Sequence, residues 1–384
     1  MTAVSAALTV DELLAAARAK AGLTEFGDDW FTEPLGVLVA SLNSRAQLSP
    51  LGLELTRRRL TALLVDRLRL RALQRAHPEI ADVEVRVAGA ILGLPRTGST
   101  LLHRLLAASP KLTSTLSWET SYPIPFPGEG PDAAERKRRA EKQAQLFLEL
   151  SPDFGDLHTV VWDGPEEDVI LVDRSFVSMS FDSFYWVPDY GDWLRAADQG
   201  PAYRELADWL RVLQWQDPGR AGRRWVLKSP HHLTAVGTVL DTFDGCKIIM
   251  THRSPVSAVP SYASMVRTMS AQYSDSVDPV AVGGYWRDRF AATLREFADV
   301  RAARPERFVD VRFLDTLADP AAEARRVLGE LGLAPDAADD AAFDAYLELN
   351  RSEKRGAHSY TAADFGLSTE RLERDFAFYT EVYL

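Results

Sequence analysis

The sequence predicts an α/β protein: a parallel β-sheet flanked by helices. Three observations carry this reading. The β-rich apolar run VEVRVAGAILGL (83–94) ends in a tight Gly-Leu-Pro turn and gives way to helical spacing in LLHRLLAAS (101–109). The same strand-turn-helix order recurs over 223–243, 247–269 and 307–333. Strands that alternate with helices imply a parallel sheet covered on both faces. Finally, the polar clusters RTGST, KSPHH and THRSP stand at the carboxyl ends of three of these strands, which is where such sheets bind their ligands.

In chain order, residues 9–80 read as helical, most clearly in LTRRRLTALLVDRLRLRALQRA (55–76), where Leu and Val recur every three or four positions. After the strand at 83–94 and the helix at 101–109, DAAERKRRAEKQAQLFLELS (132–151) forms a charged helix, and its basic run ERKRR (135–139) is expected on an exposed face. The segment 166–194 is aromatic, with Phe176, Phe181, Phe184, Tyr185, Trp186, Tyr190 and Trp193. Packing of inserted helices accounts for such a cluster; lining of an apolar acceptor pocket is the alternative. RRWVLK (223–228) is a strand followed by a helix at 232–243. KIIMTH (247–252) is a strand followed by a helix at 256–269, kinked at Pro260. RFVDVRF (307–313) is the last strand, followed by a helix at 320–333. The chain reads as one domain spanning 1–384. It has a helical N-terminal region (1–80) and an α/β core (81–384) with a helical and aromatic insertion at about 120–220.

Composition narrows the function. Hydrophobic residues make up 46% and charged residues 26%, enough apolar material for a sizeable core. A net charge of −11 argues against a general nucleic-acid or anionic-membrane surface. The lone Cys246 excludes an intramolecular disulfide framework and a multi-cysteine zinc site, and it suits a reducing cytoplasm; its flanks place it as a small buried residue beside a strand. The N-terminus lacks a basic start and carries Asp11 and Glu12, so no secretory signal is expected. No apolar run reaches the ~18 residues of a membrane span. The expectation is a cytoplasmic protein without nucleic-acid partners or stable membrane insertion, whose oligomeric state leaves no trace in the pattern.

The chemistry starts at ILGLPRTGSTLLHRLL (91–106). Gly93, four residues and Gly98 lie between strand and helix, as in the phosphate loop of a nucleotide kinase. Such a turn presents several backbone N–H groups and the positive end of a helix to one anion. Gly98 permits close backbone approach, and the Ser99 and Thr100 hydroxyls add donors. A kinase loop carries a lysine where Ser99 stands, and a strand-end aspartate helps to hold its magnesium. Here KIIMTH runs into Arg253 instead. A loop of this kind suits a donor that needs less charge neutralisation. A sulfuryl group carries fewer negative charges than a phosphoryl group, so a phosphosulfate fits without magnesium.

LPRTGSTLL resembles the 5′-phosphosulfate loop of the sulfotransferases that use 3′-phosphoadenosine 5′-phosphosulfate (PAPS). THRSPVSAVPSYASM resembles their 3′-phosphate motif, an arginine at a strand end with a serine eight positions later, here Arg253 and Ser261. Arginine offers a planar fork to phosphate oxygens. VLKSPHHL resembles the Lys-Ser-Pro turn of the tyrosylprotein sulfotransferases and many bacterial relatives, which implies a place for Lys228 near the donor's bridging oxygen. FLDTLADPAAEARRVLGELGL and the tail AHSYTAADFGLSTERLERDFAFY are similar to the bacterial group, so the likeness spans about residues 85–380. It implies the sulfotransferase fold, PAPS as sulfuryl donor and no metal. Arg96, Thr97, Gly98, Ser99 and Thr100 would cradle the 5′ end, with pairing to an acidic neighbour the alternative for Arg96, and Arg253 and Ser261 would hold the 3′-phosphate. The Arg-Lys-Gly loop that closes this site in the cytosolic enzymes is only approximated by KRGAHS (354–359). That makes Lys354 and Arg355 the candidate closing contacts, against a solvated charge pair.

Transfer to a hydroxyl, or in second place an amine, needs a base. The resemblance points to Glu119 in LSWETSYP, where the tyrosylprotein enzymes carry their catalytic glutamate; the alternative is a Glu bonded to loop amides or an arginine. The cytosolic enzymes place a histidine two positions after the strand-end lysine, but that position is Pro230 here. His231 and His232 therefore read as helix-capping residues, with catalysis the alternative, and His252 as packing at its strand end. His77, His103 and His158 show no metal spacing, and His358 reads as a contact beneath the tail. The expected acceptor is a small apolar or aromatic molecule. Two other readings keep the loop but change the chemistry: a small-molecule kinase, and a nucleotide-binding protein without catalysis.

Overall fold

The computed structural model describes residues 7–130, 132–150, 161–350 and 360–384. Five strands form one parallel sheet in the order β2-β3-β1-β4-β5. They are β1 (Val87–Gly93), β2 (Leu112–Thr113), β3 (Arg224–Lys228), β4 (Lys247–His252) and β5 (Phe308–Arg312). Every residue of β1 is buried, as its unbroken apolar run requires of a strand covered on both faces. It lies between β3, with Ile91 opposite Lys228, and β4, with Gly93 opposite Thr251. The turns that follow β1, β3 and β4 are therefore neighbours, and the three polar clusters emerge along one edge of the sheet.

The four expected strands are all present, and KIIMTH has the predicted limits. Two details differ. The edge strand β2 went unforeseen, because two residues carry no periodicity. The helix expected at 232–243 opens instead as a 3₁₀ turn over Pro230–Ala235 and becomes α-helical only at Val236–Thr242. Pro230 stands at its first position, where a missing N–H costs nothing, and the Ser229 side chain caps the turn by accepting from His231 N–H. Pro260 lies inside the continuous helix Pro255–Ser270.

Two compact units divide the chain. The sheet unit comprises Glu84–Asp168, Gln216–Met265 and Pro279–Leu384. In its core, Ile91, Val226, Ile249 and Val309 pack with Leu102, Leu105 and Leu106 of the helix Ser99–Ala108 and with Val327, Leu328 and Phe343. Each fully buried side chain of this size contributes about 1.5–3 kcal/mol, so this helix is held firmly to the sheet. Cys246 is buried just before β4, and burial pushes its thiol up to about 12.

The basic run 135–139 departs from its expected exposure. Arg138 and Arg139 pair with Glu135 at the surface, but Arg136 is buried, bonded to Glu129 at 2.7 Å and stacked 5.1 Å from the ring of Trp118. A guanidinium can be buried when a carboxylate and an aromatic face receive it together.

The second unit gathers the described part of Met1–Val83 with Val169–Trp215 and Val266–Asp278. Its long helix Pro50–Ala76 buries Arg67, which pairs with Glu205 and sits 4.1 Å from the ring of Phe31. In the aromatic segment, Phe176, Phe181, Tyr185 and Tyr190 are buried. The Tyr190 hydroxyl donates to Phe176 O at 2.9 Å and accepts from Ser178 N–H at 2.9 Å. These four rings pack within the unit. Among the described residues, no helix is long and apolar enough to cross a membrane.

Candidate functional site

The loop after β1 is shaped by two glycines and a strained arginine. Gly93 has φ +148, and a Cβ there would lie 2.5 Å from both oxygens of Thr251. Gly98 has φ +82, and a Cβ there would lie 2.9 Å from the ring of Phe313. Arg96 adopts φ +69 without the licence of glycine. Arg253 braces its carbonyl, and Phe313 braces Arg253. Arg253 Nη1 donates to Arg96 O at 2.5 Å, and the Arg253 guanidinium lies 4.4 Å from the ring of Phe313. Phe313 thus floors both Gly98 and Arg253.

Thr97 is buried, and its hydroxyl turns inward, donating to Leu94 O at 2.8 Å and sharing a 2.6 Å hydrogen bond with Thr251. Its side chain shapes the loop, leaving its backbone as the part that can face an anion. Ser99 and Thr100 open the helix Ser99–Ala108, and both are partly exposed. Backbone N–H groups in a first helical turn lack intrahelical partners and point outward along the axis.

Lys228, at the end of β3, is almost fully buried and reaches this turn. Its Nζ donates to Thr100 Oγ1 at 3.2 Å and to Glu167 Oε1 at 2.5 Å. The sequence pattern does not single out Glu167, since nothing in its irregular segment announces a contact 61 residues away. One turn along the loop helix, His103 shares a 2.6 Å hydrogen bond with Ser114. Burial, then the charges of Lys228 and Arg104, hold its pKa well below the usual histidine value.

Glu119 is brought to Arg220 rather than to Lys228. Arg220 Nη2 donates to its two oxygens at 2.8 and 2.7 Å, and Leu116 N–H donates to Oε2 at 2.9 Å. Burial raises its pKa against the opposing pull of Arg220. It lines a cavity of about 560 Å³ together with Trp118, Trp162 and Arg136.

The histidines fall to structural places. His231 and His232 are buried in the turn after Lys228. His231 is held well below its usual pKa by burial, by His232 and by Arg289. His232 Nε2 bonds Asp168 at 2.9 Å. His252 is fixed by Tyr379 at 2.7 Å and Asp310 at 2.8 Å, which orients the strand end just before Arg253.

Ser261 is buried on the helix Pro255–Ser270, and no hydrogen bond joins it to Arg253 among the described residues. Arg253 itself is half-buried, its pKa lowered by desolvation against the pull of Tyr360. Lys354, Arg355 and His358 lie outside the described residues. Among the described residues no group of three or more His, Cys, Asp or Glu is arranged to hold a metal ion.

The site thus offers a helix N-terminus, a half-buried arginine and a lysine–carboxylate pair around one turn. Comparison with known proteins points the same way. The profile of the sulfotransferase family matches residues 90–337. The omega-hydroxy-beta-dihydromenaquinone-9 sulfotransferase Stf3 of Mycobacterium bovis and of Mycobacterium tuberculosis is 26% identical over 301 residues, covering 73% of this chain and 70% of that protein. Sulfotransferase STF1 from Mycobacterium tuberculosis superposes with a TM-score of 0.85 at 30% identity, over 97% of this chain and 99% of that one. STF9 from Mycobacterium avium gives 0.87 at 25% identity, over 100% and 98%.

Proposed function

Because the chain belongs to the sulfotransferase family, we propose that it moves a sulfuryl group from PAPS to the hydroxyl of a lipophilic small molecule. The observation that carries this reading is Lys228 Nζ on Thr100 at 3.2 Å and on Glu167 at 2.5 Å, a cation and a carboxylate together at the N-terminus of the loop helix. The residues fit the donor. Gly98 supplies the left-handed backbone angle that turns the chain into the first helical turn, whose N–H groups can receive an anion, and Arg253 brings a half-buried charge to the same loop. PAPS supplies the sulfuryl group on its 5′-phosphate and leaves as adenosine 3′,5′-bisphosphate.

In this reading the loop backbone of 96–100 and the Ser99 and Thr100 hydroxyls receive the 5′ end. Arg253 and Ser261 receive the 3′-phosphate, and Lys354 and Arg355 are proposed to close over it. Lys228 offsets the negative charge that develops on the departing oxygen. A carboxylate accepts the acceptor's hydroxyl proton as the new S–O bond forms and the donor's S–O bond breaks. Glu167 is supported as that base by its contact with Lys228 and by its 23% side-chain exposure, against 5% for Glu119. Glu119 is the second reading, favoured by its raised pKa and its place in the wall of the 560 Å³ cavity. The lipophilic acceptor is supported by similarity to Stf3, whose named substrate is a menaquinone derivative.

The test is ligand preference followed by transfer. Without magnesium, adenosine 3′,5′-bisphosphate should raise Tm clearly more than ADP or AMP, since hydrogen bonds to a charged phosphate contribute about 1.5–3 kcal/mol each. Radiolabel should then pass from PAPS to prenyl alcohols such as farnesol. Equal shifts from ADP and the bisphosphate would point to a kinase. Donor binding without transfer to any prenyl or phenolic alcohol would point to a nucleotide-binding protein.

A further inference from the structure

Two buried residues outside the reacting groups tie together the segments that carry Lys228 and Glu167. Asp168 directly follows Glu167, and His232 lies four positions after Lys228 within one tight turn. His232 Nε2 bonds both Asp168 oxygens, at 2.9 and 3.1 Å, and both side chains are sealed from solvent. The two segments are otherwise far apart in sequence and follow separate paths. The turn is anchored from below, where Ser229 N–H donates to Ile91 O of β1 at 3.1 Å and the Ser229 side chain caps His231 N–H at 3.0 Å. The other segment is anchored on its N-terminal side, where Thr115 Oγ1 donates to Glu166 O at 2.7 Å and Glu166 N–H donates to Thr115 O at 2.9 Å. Glu167 therefore sits between two fixed points: the backbone of Glu166 on Thr115, and the side chain of Asp168 on His232.

We infer that the buried His232–Asp168 pair is a positioning device that fixes the Glu167 carboxylate on Lys228, and that its loss releases the base while leaving donor binding intact. This rests on the reading of Glu167 as the base. An imidazole–carboxylate bond suits the task. It is directional at both ends, and with both side chains buried the pair does not exchange readily with bulk solvent. A hydrophobic pair would fill the space without fixing the rotation of the backbone that aims Glu167.

The test compares His232→Leu, which removes the donor, with His232→Gln, which keeps an amide N–H in reach of Asp168, each with and without Glu167→Gln. Turnover is followed with radiolabelled PAPS and farnesol. His232→Leu should lower kcat about 10- to 100-fold, the range seen when groups that orient reacting residues are removed. Its affinity for adenosine 3′,5′-bisphosphate should stay within about twofold, and His232→Gln should recover most of the loss. In the Glu167→Gln background, His232→Leu should cost almost nothing more, because the group it positions is already gone.

Equal loss in both backgrounds, or a fall in bisphosphate affinity matching the fall in kcat, would overturn the inference. Glu167→Gln with full activity would instead overturn the reading of the base. Hydrogen exchange supplies a readout that needs no acceptor. In bisphosphate-bound His232→Leu, amides of 164–170 should exchange faster while those of β1 and the loop helix stay protected. Should His232→Leu fail to fold, Asp168→Asn carries the same exchange and kinetic comparison, and unchanged protection at 164–170 in that variant would also sink the proposal.

Discussion

Arg253 Nη1 lies 2.5 Å from the carbonyl oxygen of Arg96, so the arginine assigned to one end of the donor also latches the loop assigned to the other. The latch holds Arg96 at a positive φ that a non-glycine residue adopts at a cost of about 1–3 kcal/mol. Arg253→Ala should therefore weaken adenosine 3′,5′-bisphosphate strongly, by about 10-fold or more for each charged hydrogen bond lost. AMP, which lacks the 3′-phosphate, should also weaken, by a smaller factor. Calorimetric titration of both ligands checks this. An unchanged AMP affinity would show that the latch is incidental, and an unfolded variant would show Arg253 to be structural.

Gly98 and Phe313 form a second coupled pair. Gly98→Ala places a methyl 2.9 Å from the Phe313 ring at a backbone angle that costs a non-glycine residue about 1–2 kcal/mol. Thermal unfolding should show a clear loss of Tm, together with weaker bisphosphate binding. In a Phe313→Ala background the added loss should shrink, since the ring the methyl meets is absent. The same loss in both backgrounds would place the strain in the backbone alone.

The two carboxylates should separate cleanly. Glu167→Gln should hold bisphosphate affinity and lose about 10²–10⁴ in kcat, the usual contribution of a positioned base. Glu119→Gln strips Arg220 of its buried countercharge and should destabilise the fold by about 3–5 kcal/mol, with turnover per folded molecule little changed. Urea unfolding together with initial rates measures both quantities. The opposite pattern moves the base to Glu119.

Acid should weaken the fold through two buried histidines. His103 and His231 are both held well below the usual value of 6.5, chiefly by burial. Below about pH 6.5 the unfolded chain binds protons that the folded chain refuses, so stability falls as pH falls towards the depressed folded values. Each histidine contributes a slope of about 1.4 kcal/mol per pH unit in that window. Urea midpoints between pH 7 and 5 should show this slope, reduced in His103→Gln. An unchanged slope in that variant would mean that His103 does not titrate as described.

Much of this was legible in the chain, for identifiable reasons. KIIMTH is an apolar centre between Lys247 and the polar Thr251-His252 end, so both limits of β4 could be read directly. RTGST, KSPHH and THRSP converge because β1, β3 and β4 are neighbours, and the alternation of strands and helices already implied their shared edge. What escaped depends on contacts across long separations. Glu167 meets Lys228 from an irregular segment, and Phe313 reaches Gly98 from beyond the last strand. Arg136 looked like surface charge until Glu129 and Trp118 received it. Pattern reports which face is apolar, and these three placements are decided by a specific partner.

The short edge strand β2 opens a long excursion of the chain away from the sheet. The chain leaves the sheet at Thr113 and re-enters it at Arg224, and these ends are already paired, Leu112 with Arg224 and Thr113 with Trp225. The connection between them, residues 114–223, leaves and rejoins the sheet at neighbouring strands, but its segment Val169–Trp215 belongs to the second unit, where Glu205 receives the buried Arg67 of the helix Pro50–Ala76. Phosphate loop, Lys228 and Arg253 all lie outside that stretch, while Glu119 and Glu167 lie within it. A chimera that exchanges 114–223 with the corresponding stretch of a relative would keep the proposed donor contacts on the strand ends and import a foreign set of carboxylates and cavity walls, but it must also bring the residues that receive 169–215, Arg59 and Arg67 among them. Altering the carboxylates and cavity walls of such a fold therefore asks for matched changes in two parts of the chain, while β1, β3 and β4, with the contacts proposed for the nucleotide, stay as they are.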